Sequence, residues 1–251
     1  PLIAPHDPYS QSLAHRLLPP VWEHDGTWNH IFGTDALGRD YLSRIFYGAR
    51  VSLVIGLCAA VGSGIIGTTL GLLGGYYGGR IDSFVTFIVS VRLALPVVLV
   101  SLAAVSMFGG KLWMVVAILS LLLWDRFAVV VRSATLQLRN REFVTAAVAM
   151  GCSTPRILIG ELLPNLAGPL LVVASLEVGH AILLEAALSF LGLGVQPPTP
   201  SWGLMVAESK GMIFLDARLI ALPGAAIAIT VLAINLVGDG LRDLLAPEGR
   251  A

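Results

Sequence analysis

The chain is short of charge. Only 13% of its 251 residues are Asp, Glu, Lys or Arg, about half the ~25% of an ordinary soluble domain. The 16 basic and 16 acidic residues cancel, so no basic surface is available for phosphates, and nucleic acid is not an expected partner. Cysteine is scarce too: Cys58 lies in an apolar run and Cys152 beside Ser153-Thr154-Pro155. Neither has the spacing of a metal site or disulfide framework, so both are expected as unpaired thiols and no metal site is expected. The sequence also lacks a Gly-rich phosphate loop, a His-Glu-x-x-His pair and a Gly-x-Ser-x-Gly elbow. No catalytic residues and no cofactor are therefore expected, and any energy source must lie in another chain. The start, Pro1-Leu2-Ile3-Ala4-Pro5, has no initiator Met and no basic stretch followed by an apolar one. No signal peptide is expected there, and further residues are expected before Pro1.

What the chain has instead is apolar residues, 56% of the total, an excess that must face lipid. A bilayer core about 30 Å thick needs roughly 20 largely apolar residues in a helix, because lipid offers backbone amides no partner. Five runs qualify, approximately Val51 to Leu73, Phe84 to Phe108, Leu112 to Val131, Leu162 to Leu188 and Leu219 to Val237. The expected fold is an all-α polytopic membrane protein, with residues 51–251 forming the transmembrane part. Five crossings put the two ends on opposite sides of the membrane. Seven basic residues fall on each side, so charge counting alone leaves orientation open. Within the first run, Gly64-x-x-Gly67-x-x-x-Gly71 is spacing that favours close helix packing in lipid.

Residues 1–50 differ from the rest. They hold four of the five His and several Pro, and are expected in water or at the interface. Leu37, Tyr41, Leu42, Ile45 and Phe46 recur at helical spacing among Arg39, Asp40 and Arg44, which predicts a short amphipathic helix over 35–50, lying on the membrane surface.

Between the third and fourth runs, Arg141-Glu142-Phe143-Val144-Thr145-Ala146-Ala147-Val148-Ala149-Met150-Gly151 reads as a short helix with an exit. Phe143, Ala146, Ala147 and Met150 fall at i, i+3, i+4 and i+7 as one apolar stripe. Gly151 suits a left-handed cap and Pro164 the first turn of the next span. Such a helix either docks in a groove of another protein or is an ordinary surface helix; periodicity alone does not separate the two.

The loop resembles the cytoplasmic loop of importer permeases of the ATP-binding-cassette class. Their pattern is Glu-Ala-Ala, three residues, Gly, nine residues, then Ile-x-Leu-Pro. Ala146, Ala147, Gly151, Leu163 and Pro164 match it, while Thr145 stands where the pattern has Glu, and Glu161 where it has Ile. Two further stretches are similar to the second permease subunit of that family's peptide and nickel branch. One is Phe32-Gly33-Thr34-Asp35-x-x-Gly38-Arg39-Asp40-x-x-Ser43-Arg44-x-x-Tyr47-Gly48-Ala49-Arg50-x-Ser52-Leu53. The other is Glu185-Ala186-Ala187-Leu188-Ser189-Phe190-Leu191-Gly192-Leu193-Gly194-Val195-Gln196-Pro197-Pro198-x-Pro200-Ser201-Trp202-Gly203. The resemblance implies the type I importer transmembrane fold, with a sixth helix before the present start. It implies a multi-pass protein of the bacterial inner membrane that forms half of a path for di- or oligopeptides. The implied partners are a second homologous permease, two nucleotide-binding ATPase subunits that carry ATP and Mg, and an extracytoplasmic substrate-binding protein. It also implies that 139–161 is the coupling loop, with Glu142, Phe143, Thr145, Ala146, Ala147, Met150, Gly151 and Pro164 serving the ATPase contact. Orientation follows from it: 1–50 and 195–216 outside, and 74–82, 139–160 and the C-terminal 242–251 in the cytoplasm.

Glu177, His180 and Glu185 lie in the fourth apolar run. A carboxylate at the bilayer centre costs ~2.5–3.5 kcal/mol on insertion scales, so these side chains are expected to face protein and not lipid. Two roles stand open, interhelical hydrogen bonding and lining the substrate path; one His and one Glu make a poor metal set. Asp125 and Arg126 read as structural residues near a helix exit, and Asp239, Arg242 and Asp243 as a solvated helix end. A secondary transporter using Glu177, His180 and Glu185 as a proton relay is the alternative reading, with an intramembrane hydrolase behind it. Both leave the 142–164 loop unexplained.

Overall fold

The computed structural model describes residues 4–245. Pro1 to Ile3 and the last part of the expected cytoplasmic tail lie outside the described residues. The described chain is helical, with no strand and only an isolated bridge between Thr34 and Asp40. Its α-helices are α1 (Tyr41–Tyr77), α2 (Gly79–Ala94), α3 (Val97–Phe108), α4 (Leu112–Leu122), α5 (Asp125–Leu138), α6 (Glu142–Ala149), α7 (Thr154–Arg156), α8 (Leu163–Asn165), α9 (Ala167–Phe190), α10 (Trp202–Ser209) and α11 (Arg218–Leu245). Four stretches, α1, α4 with α5, α9 and α11, are long and apolar enough to cross a membrane, and α2 with α3 makes a fifth if that bent pair is one crossing.

Two expectations need correcting. The second run is not one straight helix: α2 and α3 meet at 85°. Pro96 causes the break, because it has no N–H to give and its ring disfavours helical backbone in the residue before it; Leu95 is accordingly extended at φ −90° and ψ 126°. Nor is there a separate surface helix over 35–50. The segment stays in turns up to Asp40, with Gly38 left-handed at φ +72°. The helix that starts at Tyr41 runs unbroken into the first span. Asp40 sets that start: its Oδ2 accepts from the amide of Ser43 at 2.8 Å, which is N-cap geometry.

The chain folds as two compact units, Val105–Val115 and Ile182–Thr230 with the chain up to Ile55, and Gly56–Ala104 and Val116–Ala181 with the chain from Val231. In the second unit the glycines of α1 do what their spacing predicts. A Cβ at Gly67 would lie 2.5 Å from Cβ of Phe127, at Gly71 2.7 Å from the Ala128 carbonyl, and at Gly75 2.6 Å from Cβ of Thr135. The backbones of α1 and α5 approach too closely for any larger residue. Where α4 gives way to α5, Arg92 Nε donates to the Leu122 carbonyl at 2.7 Å, satisfying an acceptor that the helix break leaves open. Both cysteines are free thiols.

Candidate functional site

Helix α6 enters from an extended Arg141 and leaves through Gly151, left-handed at φ +76°. Gly151 N–H donates to Val148 O at 2.9 Å and Cys152 N–H to Ala147 O at 3.1 Å, the paired bonds of a Schellman cap. The loop then climbs through α7, a π-helical turn at Ile157–Leu162 and α8, where Pro164 occupies the first turn. Val144 and Ala147 are buried against Leu72, Val131, Ile157, Leu162 and Leu166. This corrects the expected outward stripe, because Ala147 is an anchor to the chain's own core. Glu142, Phe143, Thr145, Ala146 and Met150 are exposed, Met150 at 76%. Six of the eight α6 residues are apolar, so periodicity could not single out the buried face. Thr145 spends its hydroxyl locally, donating to the Glu142 carbonyl at 3.0 Å.

On α9, Glu177 is fully buried, and Arg126 Nη1 stands 2.9 Å from its Oε1 while His180 Nδ1 is 3.4 Å from Oε2. The Arg126 contact is close in distance but poorly aligned, since Oε1 receives no well-directed hydrogen bond. It is an ion pair, and half of the Arg126 side chain remains exposed. Sequence reading placed Glu177 and His180 near each other but missed Arg126 as the partner. The signal was there, since an arginine in an apolar run calls for a carboxylate.

Glu185 has different company, lying in the other compact unit. Its Oε1 accepts from Ser189 Oγ at 2.7 Å and Ser201 Oγ at 2.9 Å, and Ser201 Oγ in turn accepts from Leu204 N, capping α10. At 1% exposure Glu185 is buried within this unit. The neighbouring Trp202 donates its amide to Ser52 Oγ at 3.2 Å and its indole N–H to the Ile45 carbonyl at 3.0 Å.

Charges at the start of α1 form a network with Glu208 of α10. Asp35 Oδ2 accepts from Arg39 Nε at 2.6 Å and from Arg44 Nη1, while Glu208 Oε2 accepts from Arg39 Nη2 at 3.0 Å and Arg44 Nη2 at 2.7 Å. Asp35 also accepts from the amides of Leu37 and Arg39. Arg39 and Arg44, which looked like part of the polar face of a surface helix, are thus buried and ion-paired. Burial raises the Asp35 pKa, but the Arg44 and Arg39 guanidiniums and the two amides outweigh it and hold the carboxyl below its ordinary value. A depressed folded-state pKa stabilises the fold fully above the unfolded value of ~3.9, and that contribution is lost as pH falls through the folded value. Asp35→Asn is therefore expected to cost ~3 kcal/mol near neutral pH. Thermal unfolding in detergent should show the gap to wild type closing as the pH drops below ~3.9; a gap independent of pH would refute the ionic origin.

The model of the binding-protein-dependent transport system inner membrane component family matches residues 67–250. The chain belongs to this family. Its curated relatives in the family include the di/tripeptide transport system permease protein DppC of Pseudomonas aeruginosa, 43% identical over 99% of this chain and 82% of its own length. Another is the dipeptide transport system permease protein DppC of Bacillus subtilis, 41% identical over 100% of this chain and 77% of its own. Among solved structures, an inward-facing form of the MetNI methionine ABC transporter superposes with a TM-score of 0.67, at 18% identity, over 81% of this chain and 96% of that one. At that identity the likeness speaks for the fold alone, the type I importer permease fold that the sequence motifs implied. The chain is an inner-membrane, multi-pass permease subunit of an ATP-binding-cassette importer.

Proposed function

We propose that this permease passes di- or oligopeptides through a path it shares with a second homologous permease, driven by two ATPase subunits that hold ATP and Mg and fed by an external binding protein. The observation that carries the coupling role is α6: a rigidly capped helix whose Val144 and Ala147 grip the chain's own helices while Phe143, Ala146 and Met150 are left bare. A partner's groove would cover these, and motion there passes directly to Leu72 on α1 and Val131 on α5. The peptide names of the relatives support the substrate class. Residues 1–50 and 195–216 face outward in this reading and the C-terminus is cytoplasmic. Arg126, half exposed, presents its charge to the peptide path, with the buried Glu177 as its counterion and His180 beside that carboxylate.

The test is co-purification followed by transport. The chain is expected to isolate with a second permease and a nucleotide-binding subunit, and the reconstituted assembly to take up labelled dipeptide only with ATP and binding protein. Uptake driven by a proton gradient without ATP would overturn the reading. For orientation, a cysteine at Ser12 should react with an impermeant reagent in intact cells and one at Ser153 should not; the reverse pattern would invert the topology.

A further inference from the structure

Four histidines crowd the segment before α1, and the transport reading uses none of them. The fold draws three of them, His6, His15 and His30, with Asp40 around a cavity of about 240 Å³. One donor atom each from His6, His30 and Asp40 lies within 4.8 Å of the other two. Asp40 Oδ1 is 2.9 Å from His30 Nδ1 and 3.7 Å from His6 Nδ1. Ligand atoms on a tetrahedron with bonds of ~2.0–2.1 Å stand ~3.3 Å apart, so these separations bracket those of a zinc site.

The second oxygen of Asp40 is already fixed, because Oδ2 accepts from the Ser43 amide that opens α1. Ser43 Oγ meanwhile accepts from the amide of His6 at 3.0 Å, which holds that residue beside the carboxylate. The carboxylate side chain is only 2% exposed, and its ion-pair partners among the described residues are the two imidazoles. The nearby guanidiniums of Arg39 and Arg44 are committed to Asp35 and Glu208. A buried carboxylate facing two imidazoles lacks a fixed positive charge, which a divalent ion would supply. His6, at 42% side-chain exposure, gives the ion a way in.

We infer that His6, His30 and Asp40 form a site for a first-row divalent ion of the zinc class. Two imidazole nitrogens and one carboxylate oxygen suit zinc and its neighbours, and not magnesium or calcium, which take oxygen. The fourth position belongs to water or to His15, whose ring centroid is 6.2 Å from that of His30. The ion pins two points of the preceding segment to the first turn of α1. It is a structural clip, independent of the transport reading.

The experiment uses the assembled transporter carrying a histidine-free affinity tag, stripped with chelator, re-equilibrated with Zn²⁺ or Co²⁺ and freed of unbound metal. Wild type is expected to retain ~1 metal ion per permease chain more than His30→Ala, with cobalt absorption bands typical of nitrogen and oxygen ligation. His6→Ala should weaken binding by more than the ~10–100-fold that loss of an outer-shell partner costs. His24→Ala is the control, since His24 is 98% exposed and pairs with Asp25, away from the cluster; it should bind as wild type does. Equal metal content in wild type, His6→Ala and His30→Ala would overturn the site, leaving a hydrogen-bonded His–Asp cluster. Peptide transport that survives this result would leave the transport reading untouched.

Discussion

Replacing Arg126 with Ala is expected to destabilise the permease by about 2–4 kcal/mol, because it strands a fully buried carboxylate at Glu177 without its cation. The upper end for a broken buried pair is not expected, since the exposed half of Arg126 keeps the contact partly screened. Glu177→Gln removes the charge instead, and alone should cost less, about 1 kcal/mol. The double variant Arg126→Ala, Glu177→Gln should recover most of what Arg126→Ala loses, giving a coupling energy of ~1–3 kcal/mol. Thermal unfolding of the purified chain in lipid nanodiscs measures it; additive single effects would show that the two residues do not act as a pair. The same variants separate packing from pathway. A double variant that folds and assembles like wild type yet loses peptide uptake gives the charges a role in the path; normal uptake confines them to packing.

The parts of this fold legible in the sequence are those governed by one dominant force. Apolar runs of span length located the crossings because lipid tolerates little else, and Gly67 and Gly71 marked a close helix contact because nothing larger fits there. The Gly151 cap was readable from its residue type and place. What stayed hidden depended on partners distant in sequence. Arg39 and Arg44 looked like part of a polar helix face until Glu208, more than 160 residues away, joined them in a network with Asp35. His6, His30 and Asp40 have no recognisable spacing and meet only through the turns before α1. Pro96 was visible, but an apolar stretch on either side disguised a sharp bend as a continuous span.

The faces of α6 are expected to respond to mutation in opposite ways. Phe143→Asp and Ala146→Glu alter exposed positions, so the chain should insert, fold and hold its second permease. Each puts a charge where the proposed ATPase groove closes, and burying an unpaired charge there costs several kcal/mol. Together they should reduce binding-protein-stimulated ATP hydrolysis and peptide uptake at least ~10-fold, as loss of a central contact does. Ala147→Glu has a different fate. Its carboxylate would enter the cluster of Leu72, Val131, Ile157 and Leu162, and the chain should lose stability before any question of coupling arises. Gly151 separates conformation from contact: no atom lies within 4 Å of where a Cβ would stand, so any effect of Gly151→Val comes from φ +76°, at a cost of about 1–2 kcal/mol or more for a β-branched residue. Gly151→Asn tolerates that backbone and should restore function. Assembly is read by co-purification of both permeases and the ATPase, and coupling by hydrolysis with and without binding protein. Undiminished uptake by the Phe143→Asp, Ala146→Glu variant would show that α6 does not carry the coupling. Loss of uptake with the ATPase still bound would place its role in transmission, and loss of the ATPase itself would place it in docking.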